Sequence, residues 1–213
     1  MYLSQLVLDP QARSVLDDLA DPYQLHRTVM SGFSAQLPAG ERVLFRLEMQ
    51  RSEPCLRILV QSHTPPNWDA LAQRGCLLRQ PAIKAFELQI VAGGVFRFRL
   101  AANPTRRLRC EDKEHGMRIG LEREEDQLAW LNRKGEQHGF RALAVQTVKL
   151  VQPDGWKFED GKNHRIRQQG VRFDGRLEVT DPAAFNQALA QGIGSAKGFG
   201  FGLLSLASEQ AVE

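Results

Sequence analysis

Tyr23 and His26 stand three residues apart in the segment Pro22-Tyr23-Gln24-Leu25-His26-Arg27. On a helix that spacing puts both side chains on one face, about a turn from each other. An imidazole with an ordinary pKa near 6.5 gives or takes a proton at neutral pH, as general acid–base catalysis requires. A phenol, with a reference pKa of about 10, works as a base only beside a cation, and Arg27 is the nearest one in sequence. A lone Tyr-x-x-His pair is more often a structural feature of a helix surface, and the motif is weak until something else supports it.

The run from Gly192 to Gly202 is a second candidate, with Gly192, Gly194, Gly198, Gly200 and Gly202 interleaved with Ser195 and Lys197. Glycine lets a backbone approach a phosphate, and successive free N–H groups can cradle its oxygens. The run is no P-loop, since the GxxxxGK[ST] spacing and the strand-before-helix context are both missing. A loop whose glycines only satisfy tight turns fits equally well. Phe199 and Phe201 can stack on bases or simply fill a core.

Charge is placed unevenly, although the net value is only +3 over 213 residues. Arg97, Arg99, Arg106, Arg107 and Arg109 crowd one segment, and Lys157, Lys162, His164, Arg165, Arg167 and Arg172 another. The second group falls around the polar loop Pro153–His164 and its return strand, and a basic hairpin of this kind can enter an RNA groove. Asp154, Glu159 and Asp160 partly offset it, so a solvated face is the competing reading. Glu122, Glu124, Glu125 and Asp126 suit the start of a helix better than a two-metal site. Cys55, Cys76 and Cys110 are widely spaced, without CxxC or nearby histidines, and read as inert thiols. No metal or other cofactor is expected.

Ordinary elements must position these residues. Tyr2–Leu8 alternates like a strand and stops at Asp9-Pro10. Asp21 as N-cap and Pro22 in the first turn open a helix whose Leu25, Val29 and Phe33 share a stripe. Strands follow at Val43–Met49 and Leu56–Ser62 around a turn at Glu53-Pro54, then a short helix near Trp68–Arg74 and a strand near Ala85–Val91. Past Gly93-Gly94 the order begins again: strand Val95–Leu100, an Arg-rich hairpin, helix Glu124–Lys134, and strands Ala142–Val151 and Arg165–Val179. A helix from Asp181-Pro182 to about Gln191 and a last strand Gly202–Leu206 complete it. Two βαββαβ units predict an α+β protein of two tandem ferredoxin-like, RRM-like domains, residues 1–92 and 95–213, the latter carrying the basic hairpin and Gly-rich loop. The chain is 42% hydrophobic with no apolar run of about 18 residues, and MYLSQLVLDP lacks the pattern of a signal peptide. A cytoplasmic protein with no membrane partner is expected.

Five segments together carry a family resemblance: MYLSQLVL at the start, PYQLHR at Pro22–Arg27, FRFRLAANPTRR at Phe96–Arg107, DQLAWLNRK at Asp126–Lys134 and GIGSAKGFGFGLLSLA at Gly192–Ala207. The chain resembles, end to end, the CasE proteins, repeat-processing endoribonucleases of the type I-E CRISPR Cascade complex. The resemblance implies two ferredoxin-like domains and metal-independent cleavage of precursor crRNA at the 3′ base of the repeat stem-loop. It implies a 2′,3′-cyclic phosphate product, the repeat hairpin and other Cascade subunits as partners, and acid–base work by His26 with Tyr23. Arg27 or Lys197 would then stabilise the phosphorane, and Lys157, Lys162, His164, Arg165, Arg167, Gly194, Ser195 and Gly198 would hold RNA. A non-catalytic RNA-binding scaffold subunit of the same complex, or a small-molecule phosphatase on this fold, are the alternatives from other classes.

Overall fold

A computed structural model describes residues 1–49, 55–108, 117–150, 155–159, 162–166 and 169–208. Glu53, Pro54, Arg109, Cys110, His115 and Arg167 lie outside the described residues. The chain divides into two compact units: Met1–Leu88 with Pro153–Arg167 and Lys197–Gly200, and Gln89–Gln152 with Gln168–Ala196 and Phe201–Glu213.

The first unit runs β1 (Tyr2–Leu8), α1 (Arg13–Ala20), α2 (Pro22–Met30), β2 (Leu44–Met49), β3 (Leu56–Ser62), α3 (Asp69–Gln73) and β4 (Ala82–Ala85). Its antiparallel sheet has the order β2-β3-β1-β4, with Leu6 opposite Ile58. One sheet face supplies Leu6, Leu8, Phe45, Ile58 and Val60, which pack against Val15, Leu25, Val29, Trp68 and Leu71. α2 begins as its sequence requires: Asp21 is extended at φ −133°, and its carboxylate accepts the Tyr23 backbone N–H at 2.9 Å. Asp21→Ala removes that cap, and a urea melt should show a loss of about 1 kcal/mol. A loss under a few tenths would mean that tertiary contacts alone hold the α2 start.

The sequence signals do not announce α1. Ala12 makes no capping bond and the helix buries only Val15 and Asp18, too sparse a stripe to read. Asp18 tolerates burial because the Thr28 hydroxyl and the Arg74 guanidinium donate to its Oδ2 at 2.8 and 3.1 Å. Those bonds tie α1 to α2 and to the end of α3.

The second unit contains β5 (Val95–Ala102), β6 (Thr105–Leu108), β7 (Met117–Gly120), α4 (Glu124–Gln137), β8 (Phe140–Leu150), β11 (Gly170–Val179), α5 (Pro182–Gln191) and β12 (Leu204–Ser208). β9 (Gly155–Glu159) and β10 (Lys162–Ile166) form a hairpin that belongs to the first unit. The second sheet has the order β12-β5-β11-β8. Numbered along each βαββαβ unit, both sheets are 4-1-3-2 and antiparallel, which is the ferredoxin-like arrangement twice over. Phe98, Leu100, Phe173 and Leu177 face Trp130, Leu131, Phe185 and Leu189 of the helices in its core. α4 opens with Glu124, Glu125 and Asp126 in its first turn, where negative charge suits the helix dipole.

Three expected strands are corrected. The strand expected at Ala85–Val91 lies at Ala82–Ala85, because β1 pairs there, and Ile90 instead packs against the second core. Arg165–Val179 is two strands: β10 pairs with β9, and β11 pairs with β5 and β8. Accordingly, much of the expected loop Pro153–His164 is hairpin strand. The last strand starts at Leu204, since Gly202 at φ 89° donates its N–H to Ala101 and accepts that of Ile193.

Candidate active site

The Asp21 cap fixes the start of α2 and so orients its first turns, which carry Tyr23, His26 and Arg27. The opposite stripe, Pro22, Leu25, Thr28 and Val29, is buried, leaving Tyr23 half exposed at 51% and Arg27 exposed. The Arg27 guanidinium donates to Gln24 Oε1 at 3.4 Å.

His26 is only partly exposed, because two other segments close on its ring. The Phe45 ring of β2 stacks on it at 6.4 Å between centroids and 29° between planes. The Gly-rich run supplies the second wall. Its 3-10 turn, Lys197–Phe199, packs against α2 and β2. A Cβ built on Gly198 would stand 3.7 Å from both Cε1 and Nδ1 of His26, so the turn's backbone lies one methyl group away from the imidazole edge. Gly200 follows at φ 84°, where a Cβ would come within 3.2 Å of Phe45 Cε2. Phe45 is the member of this site that sequence reasoning missed. Its only sequence signal was strand alternation, which marks a core residue and says nothing of a histidine partner.

The electrostatics follow from this enclosure. His26 Nδ1 is buried with no hydrogen-bond partner among the described residues. A charged imidazolium carries two N–H groups that need acceptors, whereas a neutral ring carries only one. Burial accordingly pushes the His26 pKa below its ordinary value. The ring rests neutral at pH 7, in the form that accepts a proton.

The other expected residues are distributed as follows. Lys197 and Gly198 sit in the turn beside α2. Lys157 lies on β9, and Lys162, His164 and Arg165 on β10, with His164 opposite Lys157 and Arg165 opposite Trp156 in register. β9 runs beside α2. Gly194 and Ser195 belong to the second unit, where Gly194 faces Trp130 and the Ser195 hydroxyl donates to the Asn103 carbonyl at 3.5 Å. Phe201 is fully buried, so it is core and takes no part in base stacking; Phe199 is half-buried. Among the described residues no group of three or more His, Cys, Asp or Glu is placed to hold a metal ion. No helix among them is long and apolar enough to cross a membrane.

Fold and site together define a tandem ferredoxin-like protein that holds a neutral histidine between an aromatic ring and a glycine turn. The chain belongs to the CRISPR associated protein family, whose family model matches residues 1–208. It is 38% identical to the CRISPR-associated endoribonuclease Cse3 of Thermus thermophilus, over 97% of this chain and all of that one. It is 34% identical to the CRISPR system Cascade subunit CasE of Escherichia coli, over 97% and 99% of the two chains. Among solved structures, CRISPR endoribonuclease Cse3 bound to a 19 nt RNA superposes with a TM-score of 0.84 at 37% identity, over 97% of this chain and 100% of that one.

Proposed function

We propose that this chain is a metal-independent endoribonuclease that binds the repeat stem-loop of precursor CRISPR RNA and cuts at the 3′ base of the stem. The observation that carries the reading is the enclosed, neutral imidazole of His26 on the helix face shared with the exposed Tyr23. In the reaction the 2′-hydroxyl gives its proton to His26 while its oxygen attacks the adjacent phosphorus. The bond to the 5′-oxygen breaks, that oxygen takes a proton from Tyr23, and the products are a 2′,3′-cyclic phosphate and a 5′-hydroxyl. Arg27 and Lys197, on the elements flanking His26, meet the charge that builds on the phosphorane. Gly198 leaves room for a phosphate to approach the turn's backbone.

The basic β9–β10 hairpin beside α2, with Lys157, Lys162, His164 and Arg165, grips the stem; Arg167, and Gly194 and Ser195 of the second unit, are further RNA-binding candidates on the sequence alone. The relatives named as a CRISPR-associated endoribonuclease and as a Cascade subunit support an RNA substrate and assembly with other subunits of such a complex, which this reading places in the cytoplasm. Incubation of the protein with a repeat hairpin in EDTA tests the reading. A single cut leaving a 2′,3′-cyclic phosphate is expected. Tight binding without a cut would make the chain a scaffold, and a cut restored only by a divalent ion would overturn the metal-free chemistry.

Tyr23→Phe is expected to slow cleavage by about tenfold, less than loss of the imidazole, because solvent can replace an exposed phenol as proton donor. Single-turnover rates on the hairpin check it. A loss equal to that of His26→Ala would give the phenol an equal share of the proton work.

A further inference from the structure

α2 enters the first core through four buried residues, Pro22, Leu25, Thr28 and Val29, and of these four only Thr28 has a polar side chain. Its hydroxyl is used in both directions. It donates to Asp18 Oδ2 of α1 at 2.8 Å and accepts from Arg74 Nη1, at the end of α3, at 2.6 Å. Arg74 Nη2 closes the triangle on the same Asp18 oxygen at 3.1 Å and also donates to the Ser14 carbonyl at 3.4 Å. Asp18 and Thr28 are 7% and 6% exposed, so little water competes for these bonds.

Apolar packing is non-directional, whereas a hydrogen bond weakens steeply away from its axis. Leu25 and Val29 therefore hold α2 against the core, and the Thr28 triangle fixes how far the helix is turned about its own axis. His26 lies two residues before Thr28, about 200° away around the helix. A turn of only about 10° carries a side chain that stands about 6 Å from the axis through about 1 Å. The imidazole has no such latitude. A Cβ on Gly198 would stand 3.7 Å from its Cε1 and Nδ1, and the Phe45 ring stacks on it with 29° between planes. A misplacement of about 1 Å at a reacting group costs on the order of 10²-fold in rate.

We propose that Thr28, held by Asp18 and Arg74, is a positioning residue of the cleavage reaction: it sets the rotation of α2 that brings the His26 imidazole between Phe45 and the Gly198 turn. The proposal rests on the reading of His26 as the base of an endoribonuclease, and half of its test needs no RNA. Thr28→Val removes the hydroxyl, keeps the shape of the side chain and leaves Asp18 paired with Arg74. The single-turnover rate on the repeat hairpin at saturating enzyme is expected to fall by about 10- to 100-fold, while the Kd for a hairpin carrying a 2′-deoxy nucleotide at the cut stays within about twofold. In the RNA-free protein, with far-UV circular dichroism confirming the fold, the His26 titration midpoint read by NMR moves up toward about 6.5 as the ring leaves its enclosure. Thr28→Ser restores the hydroxyl and is expected to return the midpoint to its wild-type value and the rate to within about threefold. Should Thr28→Val fail to fold, Arg74→Lys carries the same prediction on rate and midpoint, because it keeps a cation beside Asp18 and loses the planar fork that reaches both partners. Three results would overturn the proposal: a rate and midpoint left unchanged by the substitution, a rate and affinity that fall together, or no recovery in Thr28→Ser. A wild-type protein that leaves the hairpin intact would instead strike at the endoribonuclease reading, and the midpoint comparison would still decide whether Thr28 positions the ring.

Discussion

Replacing His26 with alanine lowers the single-turnover rate of repeat-hairpin cleavage by about 10²- to 10⁴-fold, the usual worth of a positioned acid–base group, with hairpin affinity kept within about twofold. The separation of rate from affinity follows from geometry. His26 is half enclosed between Phe45 and the Gly198 turn, so a substrate meets one ring edge, and in the proposed reading the phosphate contacts come from the basic hairpin and the turn instead. The pH profile reports the direction of proton transfer. Burial holds the pKa below the ordinary histidine value of about 6.5, so a His26 base is active above that pKa and its rate falls only as pH drops through it. An acid limb with a midpoint below about 6.5, absent in His26→Ala, is the expected profile. A rate that instead falls on the alkaline side would make His26 the proton donor. Equal loss of rate and affinity would make it a binding residue.

The parts of this architecture that could be read from the chain are those whose causes are local. Asp21-Pro22 and Asp181-Pro182 each announce a helix because one carboxylate caps the very next N–H groups: Asp21 bonds Tyr23, and Asp181 bonds Ala183 and Ala184. Leu56–Ser62 is legible for the same reason, a period-two alternation with no competing signal. α1 escaped because its stability comes from Thr28 and Arg74 reaching Asp18 from other elements, which no window of sequence contains. The β10–β11 break escaped because apolar and basic residues alternate on both sides of it, at Arg165-Ile166 and at Val171-Arg172-Phe173, and the change of pairing partner is what separates the two strands. Tyr23 and His26 were visible as a spacing. What makes the histidine chemically distinct, an aromatic neighbour from β2 and a backbone turn from near the other end of the chain, is long-range and was not visible.

Phe45→Ala is expected to cost about 3–5 kcal/mol of unfolding free energy and to alter the chemistry of the histidine as well. Phe45 is 1% exposed and packs among Leu6, Leu8, Ile58 and Val29, so its removal opens a cavity in the first core. The same ring covers one face of His26, and Gly200 closes beside it. Its loss admits water to the imidazole, relieves the desolvation that disfavours the charged form, and moves the His26 pKa up toward about 6.5. At pH 6 more of the base is then protonated, and the cleavage rate falls further than it does at pH 8, where wild-type and variant rings are both neutral. Phe45→Leu separates the two effects, because it retains most of the apolar volume while removing the aromatic face. A urea melt reads the stability, and an NMR titration of the His26 ring in the RNA-free protein reads the pKa. Should Phe45→Leu leave the titration midpoint where it is in the wild type, the Gly198 turn rather than the aromatic ring would be what keeps His26 neutral. Gly198→Ala, whose new methyl would meet the ring edge at ordinary contact distance, should then lower the midpoint further.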